Sequence, residues 1–235
     1  MSDALREYLQ QNQIRIPIGF DLVAILLFST SGVIAAMRRG YDFIGVFILA
    51  LVTGAGGGLI RDGIFLQNGP PAITQNWQFL PLIVFACILG WVVNHWIVRF
   101  HRVIAVLDAV GLSAYTMVGL LKALHADLSV PSAIMVGVVN AAGGGLLRDV
   151  ITQEEPLLFK PGQFYVVASL LGCAVFLSLE YRTLVKPRVA EWISMTVIFG
   201  FRLLAILFNW RTGPVQPLQA LASRHEQPPN PPTTV

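Results

Sequence analysis

The sequence predicts an all-α polytopic membrane protein, with seven transmembrane helices arranged as two inverted three-helix repeats plus a seventh helix. Three observations predict it. Of the 235 residues, 55% are hydrophobic and 12% charged, against about 25% charged in a soluble domain. Lipid in place of water over much of the surface accounts for that deficit. Seven apolar stretches reach the ~20 residues that cross a bilayer as a helix. Finally, Ala55-Gly56-Gly57-Gly58-Leu59-Ile60-Arg61-Asp62 recurs as Ala142-Gly143-Gly144-Gly145-Leu146-Leu147-Arg148-Asp149, at an offset of 87 residues.

The first span, 18–37, follows seventeen residues and ends at Arg38-Arg39-Gly40. It has the apolar character of a signal peptide, but its repeat partner is internal and cannot be cleaved, so it counts as a true span. The second, 43–66, carries the first glycine motif and stops before Asn68-Gly69-Pro70-Pro71, where a helix cannot easily continue. The third, 79–98, runs into Arg99 and Arg102. The fourth, 103–124, and the fifth, 130–151, repeat the first two, and Glu154-Glu155-Pro156 punctuates the loop beyond. The sixth, 163–181, repeats the third. The seventh, 190–210, has no counterpart. The chain thus divides into a first repeat at 18–98, a second at 103–181, a seventh helix at 190–210 and a tail at 211–235, whose Pro- and Gln-rich composition predicts disorder.

The offset of 87 holds without a gap over the first two helices of each unit: Asp21 with Asp108, Phe28 with Tyr115, Ser29 with Thr116, Gly32 with Gly119 and Thr53 with Asn140. Three crossings per unit make the second copy enter from the opposite side. Inverted repeats of this kind place permeation or substrate sites near the midplane, where the repeats meet. The short inner loops after the first and third spans are doubly basic if the amino terminus is outside. The positive-inside rule therefore predicts a multi-pass protein of the cell (inner) membrane with an outer amino terminus and a cytoplasmic carboxyl terminus.

Composition excludes other classes. The formal charge of +3 resides in short clusters between apolar segments, which is topology rather than a nucleic-acid surface. Cys87 and Cys173 sit apart in apolar segments, so neither a metal site nor a disulfide framework is expected. The histidines are scattered, no Ser/His/Asp or Cys/His constellation exists, and no GK[ST] follows the glycines. An enzyme or a cofactor is not expected.

The residues that carry chemistry follow from the repeat. Gly56, Gly57, Gly58 and Gly143, Gly144, Gly145 each cost a helix about 1 kcal/mol relative to alanine. They mark either bends of the second and fifth helices lining a cavity or close packing through small residues; their symmetric place beside Arg-Asp favours bends. Arg61, Asp62, Arg148 and Asp149 are charges near the hydrocarbon, where partners are needed. Adjacent helical positions point about 100° apart, so each pair is poorly placed to satisfy itself, and Asp21 and Asp108 are the candidate partners. The cluster acts as a clamp or as a cation-attracting pore mouth. Ser29, Thr53, Thr116 and Asn140 offer oxygens that replace part of a cation's hydration shell, or simply bond between helices. Lys122 snorkels to the interface or acts as a gate that repels cations. Arg202, in the middle of the seventh helix, implies a subunit contact or a lipid headgroup.

With its duplicated Gly-Gly-Gly-Leu-x-Arg-Asp motif on the second helix of each unit, the chain resembles the prokaryotic TRIC family, the bacterial and archaeal relatives of trimeric intracellular cation channels. The resemblance covers about 18–210. It implies a homotrimer in the lipid bilayer, one pore per subunit among helices one, two, four and five, and K⁺ or Na⁺ as the permeant ion. Where animal members carry a basic lipid-binding motif, this chain has Gly-Gly-Leu-Ile-Arg-Asp, so phosphoinositide regulation is not implied. The rival expectation is a secondary transporter of a small solute such as glycine.

Overall fold

The computed structural model describes residues 18–97, 103–160, 164–182 and 185–210, and all regular structure among them is helical. Seven long helices follow in chain order: Ile18–Arg38 (α1), Phe43–Ile60 (α2), Phe79–Ile97 (α3), Val103–His125 (α4), Val130–Ile151 (α5), Tyr165–Tyr181 (α6) and Pro187–Leu207 (α7). A wider turn, Arg61–Leu66, continues α2, and a short helical turn, Ala72–Gln75, precedes α3. The predicted disorder at 211–235 and the basic pair Arg99 and Arg102 lie outside the described residues.

Large apolar side chains such as Phe43, Ile44, Trp91 and Leu170 stand exposed along these helices, which hydrocarbon tolerates and water does not. α7 begins at Pro187 rather than near 190, because proline's fixed φ and missing N–H suit the first helical position. It ends short of 210, where Asn209 is left-handed (φ 49°) and Trp210 donates its N–H to the Ala205 carbonyl.

The loops obey the repeat more closely than residue identity does. α1 ends at Gly40 (φ 72°) and α4 at Asp127 (φ 57°), both left-handed. The N–H of Tyr41 then closes on the Ala36 carbonyl, and that of Leu128 on the Ala123 carbonyl, each at 3.1 Å, the usual left-handed helix end. The next helices start on side-chain caps: Asp42 accepts the Gly45 N–H and Ser129 accepts the Ser132 N–H. Each of these pairs is 87 apart.

Contacts establish the inversion. Asp21 at the start of α1 meets Lys122 at the end of α4, so those helices run antiparallel. Phe28 and Tyr115, themselves a repeat pair, stack with ring centroids 5.5 Å apart. A residue that touches its own symmetry mate lies on the axis, and the pseudo-two-fold axis passes between these rings.

On the same axis α2 crosses α5. A Cβ on Gly57 would overlap the Asn140 carbonyl oxygen, and one on Gly144 would overlap that of Thr53. A Cβ on Gly143 would stand 3.1 Å from the Gly57 Cα. This supports the packing reading of Gly56–Gly58 and Gly143–Gly145 over the expected bends. The α-helix runs through both triplets, and the glycines are present because two backbones touch. Helical geometry changes only beyond the motif and only in the first repeat. At Arg61–Leu66 the turn widens to i→i+5 bonding, and the Gln67 N–H reaches the Asp62 carbonyl at 2.9 Å.

α7 packs on α6 and α4. The edge contact of Phe20 with Trp192, centroids 5.2 Å apart, places the start of α7 beside the start of α1.

Candidate functional site

Two buried charge clusters stand at opposite ends of the α2–α5 crossing. Each Arg–Asp pair does satisfy itself, against expectation. Arg61 donates from Nε to Asp62 Oδ1 at 2.6 Å and from Nη2 to Asp62 Oδ2 at 2.9 Å. Arg148 donates from Nε to Asp149 Oδ1 at 2.9 Å. A long guanidinium laid across the helix bridges the angle that separates neighbouring positions. The same carboxylates accept the backbone N–H that starts the following turn, Ala72 at 2.9 Å for Asp62 and Leu157 at 2.8 Å for Asp149.

The candidate partners join as well. Arg61 Nη1 lies 3.4 Å from Asp21 Oδ1, and Arg148 Nη1 lies 2.8 Å from Asp108 Oδ1. Both arginines are 1% exposed, so these pairs are desolvated, and removing one partner leaves an uncompensated charge.

Beyond this core the clusters differ. At the first, Lys122 Nζ sits 3.1 Å from Asp21 Oδ2 with its side chain 22% exposed, so Lys122 pairs inward rather than snorkelling. Arg61 Nη1 also points to Asn140 Oδ1, at 3.5 Å. At the second, Arg148 Nη1 donates to Ser31 Oγ at 2.8 Å, and the Tyr165 hydroxyl donates to Asp108 Oδ2 at 3.0 Å. Arg202 lies inside the bundle, its guanidinium carbon 4.1 Å from the Tyr165 ring centroid. The expected subunit or lipid contact for Arg202 is replaced by a cation–π contact.

The first cluster opens to a vestibule of ≈ 320 Å³ lined by Asp62, Asn68, Gln75, Asn76, Lys122 and His125, among others. A separate small space of ≈ 10 Å³, sharing Asp62 and Ala72 with the vestibule lining, is bordered by Asp21, Gly58, Arg61 and Tyr115, room for about one water. There the Tyr115 hydroxyl donates to the Gly54 carbonyl at 2.6 Å, and the rings of Tyr115 and Phe28 stand across the axis.

The four expected oxygen donors are all fully buried. Thr53 Oγ1 donates to the Leu49 carbonyl at 2.6 Å. Thr116 Oγ1 donates to the Leu112 carbonyl at 2.7 Å and contacts Ser169 Oγ at 3.0 Å. Asn140 Nδ2 donates to the Tyr115 carbonyl at 2.6 Å. Ser29 Oγ has no hydrogen-bond partner and lies against Gly54. Tyr165 escaped the sequence reading because it lies in the third helix of its unit, beyond the stretch over which the offset of 87 holds; the matching helix start is Phe79, which has no hydroxyl.

Comparison with known proteins places this arrangement. A family model described as "Glycine transporter" matches residues 18–95 and 105–181, once over each three-helix unit. The UPF0126 inner membrane protein YadS of Escherichia coli K12 is 33% identical over 190 residues, covering 80% of this chain and 91% of that protein. The TRIC trimeric intracellular cation channel orthologue from Rhodobacter sphaeroides superposes with a TM-score of 0.77 at 29% identity, over 82% of this chain and 97% of that one. A prokaryotic TRIC channel crystallised in 0.5 M KCl gives 0.73 at 28% identity, over 81% and 95% of the two chains. These structural counterparts are channels and not enzymes, and this chain is a multi-pass membrane protein of the same seven-helix fold. The chain belongs to the family that unites the UPF0126 membrane proteins with the prokaryotic TRIC structures.

Proposed function

We propose that the chain is a passive channel for monovalent cations, K⁺ and Na⁺, with one conduit in each subunit of a homotrimer. The observation that carries this reading is the polar vestibule at Lys122 and Asp62, beside a small space bordered by Asp21 and by Tyr115, whose hydroxyl bonds the Gly54 carbonyl. On this reading the Tyr115–Gly54 hydrogen bond closes the path. Release of the Tyr115 hydroxyl frees the Gly54 carbonyl, and Ser29, Thr53, Thr116 and Asn140 surround the same axis with further oxygens able to replace water around a cation. Lys122 is the gate: its charge stands at the vestibule and is neutralised by Asp21. The descriptions of the structural counterparts as cation channels support the reading.

The description of the family model favours a second reading, transport of glycine. Purified protein in planar bilayers separates the two. Unitary K⁺ currents support the channel, and saturable glycine counterflow without unitary currents supports the transporter.

Two substitutions probe the gate. Lys122→Gln is expected to leave the protein folded and to raise the cation current several-fold, because the negative charge of Asp21 is then less neutralised at the entrance. Unchanged current through intact protein would remove Lys122 as the gate. Tyr115→Phe deletes a hydrogen bond that contributes about 1 kcal/mol, and is expected to raise the open fraction by up to roughly tenfold. Single-channel recording reads it directly.

A further inference from the structure

The α6–α7 hairpin holds acidic groups that neither charge cluster uses. Glu180, near the end of α6, is 2% exposed and Glu191, early in α7, is 1% exposed. All four of their carboxylate oxygens lack a hydrogen-bond partner. Gly172 of α6 packs against Ile198 of α7, and Tyr165 lies beneath Arg202. That antiparallel register puts Glu180 level with the first turn of α7, within about a turn of Glu191. A further orphan lies beside them. Ser194 is fully buried with its Oγ unpartnered, and it follows Glu191 by three residues on the buried stripe of α7. Helical side chains lean toward the amino terminus, which turns this hydroxyl toward Glu191.

Two carboxylates buried side by side without a cation cannot both stay ionised. The groups that could neutralise them are committed elsewhere or exposed. Lys122 on α4 is paired with Asp21, and His125 Nδ1 bonds the Leu121 carbonyl. Asp127 adds no positive charge, and α5 brings no titratable group to this end. Arg182, Lys186 and Arg188 of the connecting loop and first turn are exposed; none of them bonds either carboxylate, and Arg188 reaches Glu191 only through its field, weaker than the cost of burial.

We propose that Glu180, Glu191 and Ser194 form a proton-binding site inside the α6–α7 hairpin. The two carboxyl groups share one proton, which one donates to the other, and Ser194 takes part in the remaining hydrogen bond. The site exists whether or not the chain conducts ions, so it stands or falls separately from the channel reading.

Infrared spectroscopy of the full-length protein in lipid vesicles tests it with the pair intact. The other glutamates of the chain are Glu7, Glu154, Glu155 and Glu226; Glu154 and Glu155 are exposed, and with E7Q and E226Q as background, ¹³C at the glutamate carboxyl isolates the pair. A protonated-carboxyl stretch at neutral pH that shifts with the label is the expected result; absence of a label-shifted band overturns the proposal. The melting temperature supplies a second measurement. Protons held by the folded state make its stability fall as pH rises through the titration of the pair, and E180Q/E191Q is expected to flatten that dependence. If the double variant folds and keeps the wild-type pH profile, the pair is not the proton site. If it does not fold, the labelled band alone decides.

Discussion

Gly57→Val and Gly144→Val are each expected to prevent the native bundle from forming at temperatures where the wild type persists. The added atoms meet backbone, since a Cβ at either position overlaps a carbonyl oxygen of the facing helix. A side chain could swing away from such a contact, but a helix backbone cannot. Overpacking of a well-packed core costs about 1–3 kcal/mol and occasionally more, and an overlap with backbone belongs at or above the upper end. Gly→Ala at these two positions should already be severe. Gly63→Ala is the control: no heavy atom lies within 4 Å of its added Cβ, so near-wild-type stability is expected. Thermal unfolding in detergent and in lipid, followed by loss of soluble protein, measures all of them. Equal melting of Gly144→Ala and Gly63→Ala would refute the crossing as the reason for the motif.

Arg148→Met should cost about 3–5 kcal/mol, the range for breaking a buried ion pair by removing one partner. It strands Asp108 and Asp149 together and deprives Ser31 Oγ of its donor. Arg61→Met, its repeat mate, should cost clearly less. Asp21 keeps Lys122 at 3.1 Å, and Asp62 borders the vestibule, where water reaches it. Chemical denaturation of both variants in the same lipid environment gives the comparison. Similar losses would mean that the two clusters are energetically alike despite their different surroundings.

Much of this was legible in the sequence, because an internal repeat acts as an alignment of the chain with itself. Asp21 and Asp108 could be proposed from the repeat as partners for the two Arg–Asp pairs, and Asp21 meets Arg61 while Asp108 meets Arg148. The span boundaries needed only the apolar lengths and loop residues. What failed did so for physical reasons. Glycine is required by a bend and by a close crossing alike, so Gly57 and Gly144 could not reveal which they serve. The angle between Arg61 and Asp62 was read from backbone positions, whereas the reach of the guanidinium decides the contact. The matched caps Asp42 and Ser129, and the matched helix ends Gly40 and Asp127, differ in chemistry and so escaped a search for identical pairs. Tyr165 replaces the Phe79 that starts the matching helix of the first repeat, so its hydroxyl had no pair to draw attention to it. Glu180 and Glu191 carry no motif, and burial alone distinguishes them.

The stacked pair on the pseudo-two-fold axis has one further consequence. Were the halves identical, tipping the bundle toward one membrane face or the other would produce two states of equal energy, each the mirror of its partner in role. Phe28 against Tyr115 breaks that degeneracy at its centre, because one ring carries a hydroxyl and the other has none to offer. Lys122 over Asp21, facing Ala35 at the mirrored position, breaks it at one end, and Tyr165 with Arg202 breaks it at the other. Duplication alone would leave the two faces equivalent; these few unmatched side chains make them different.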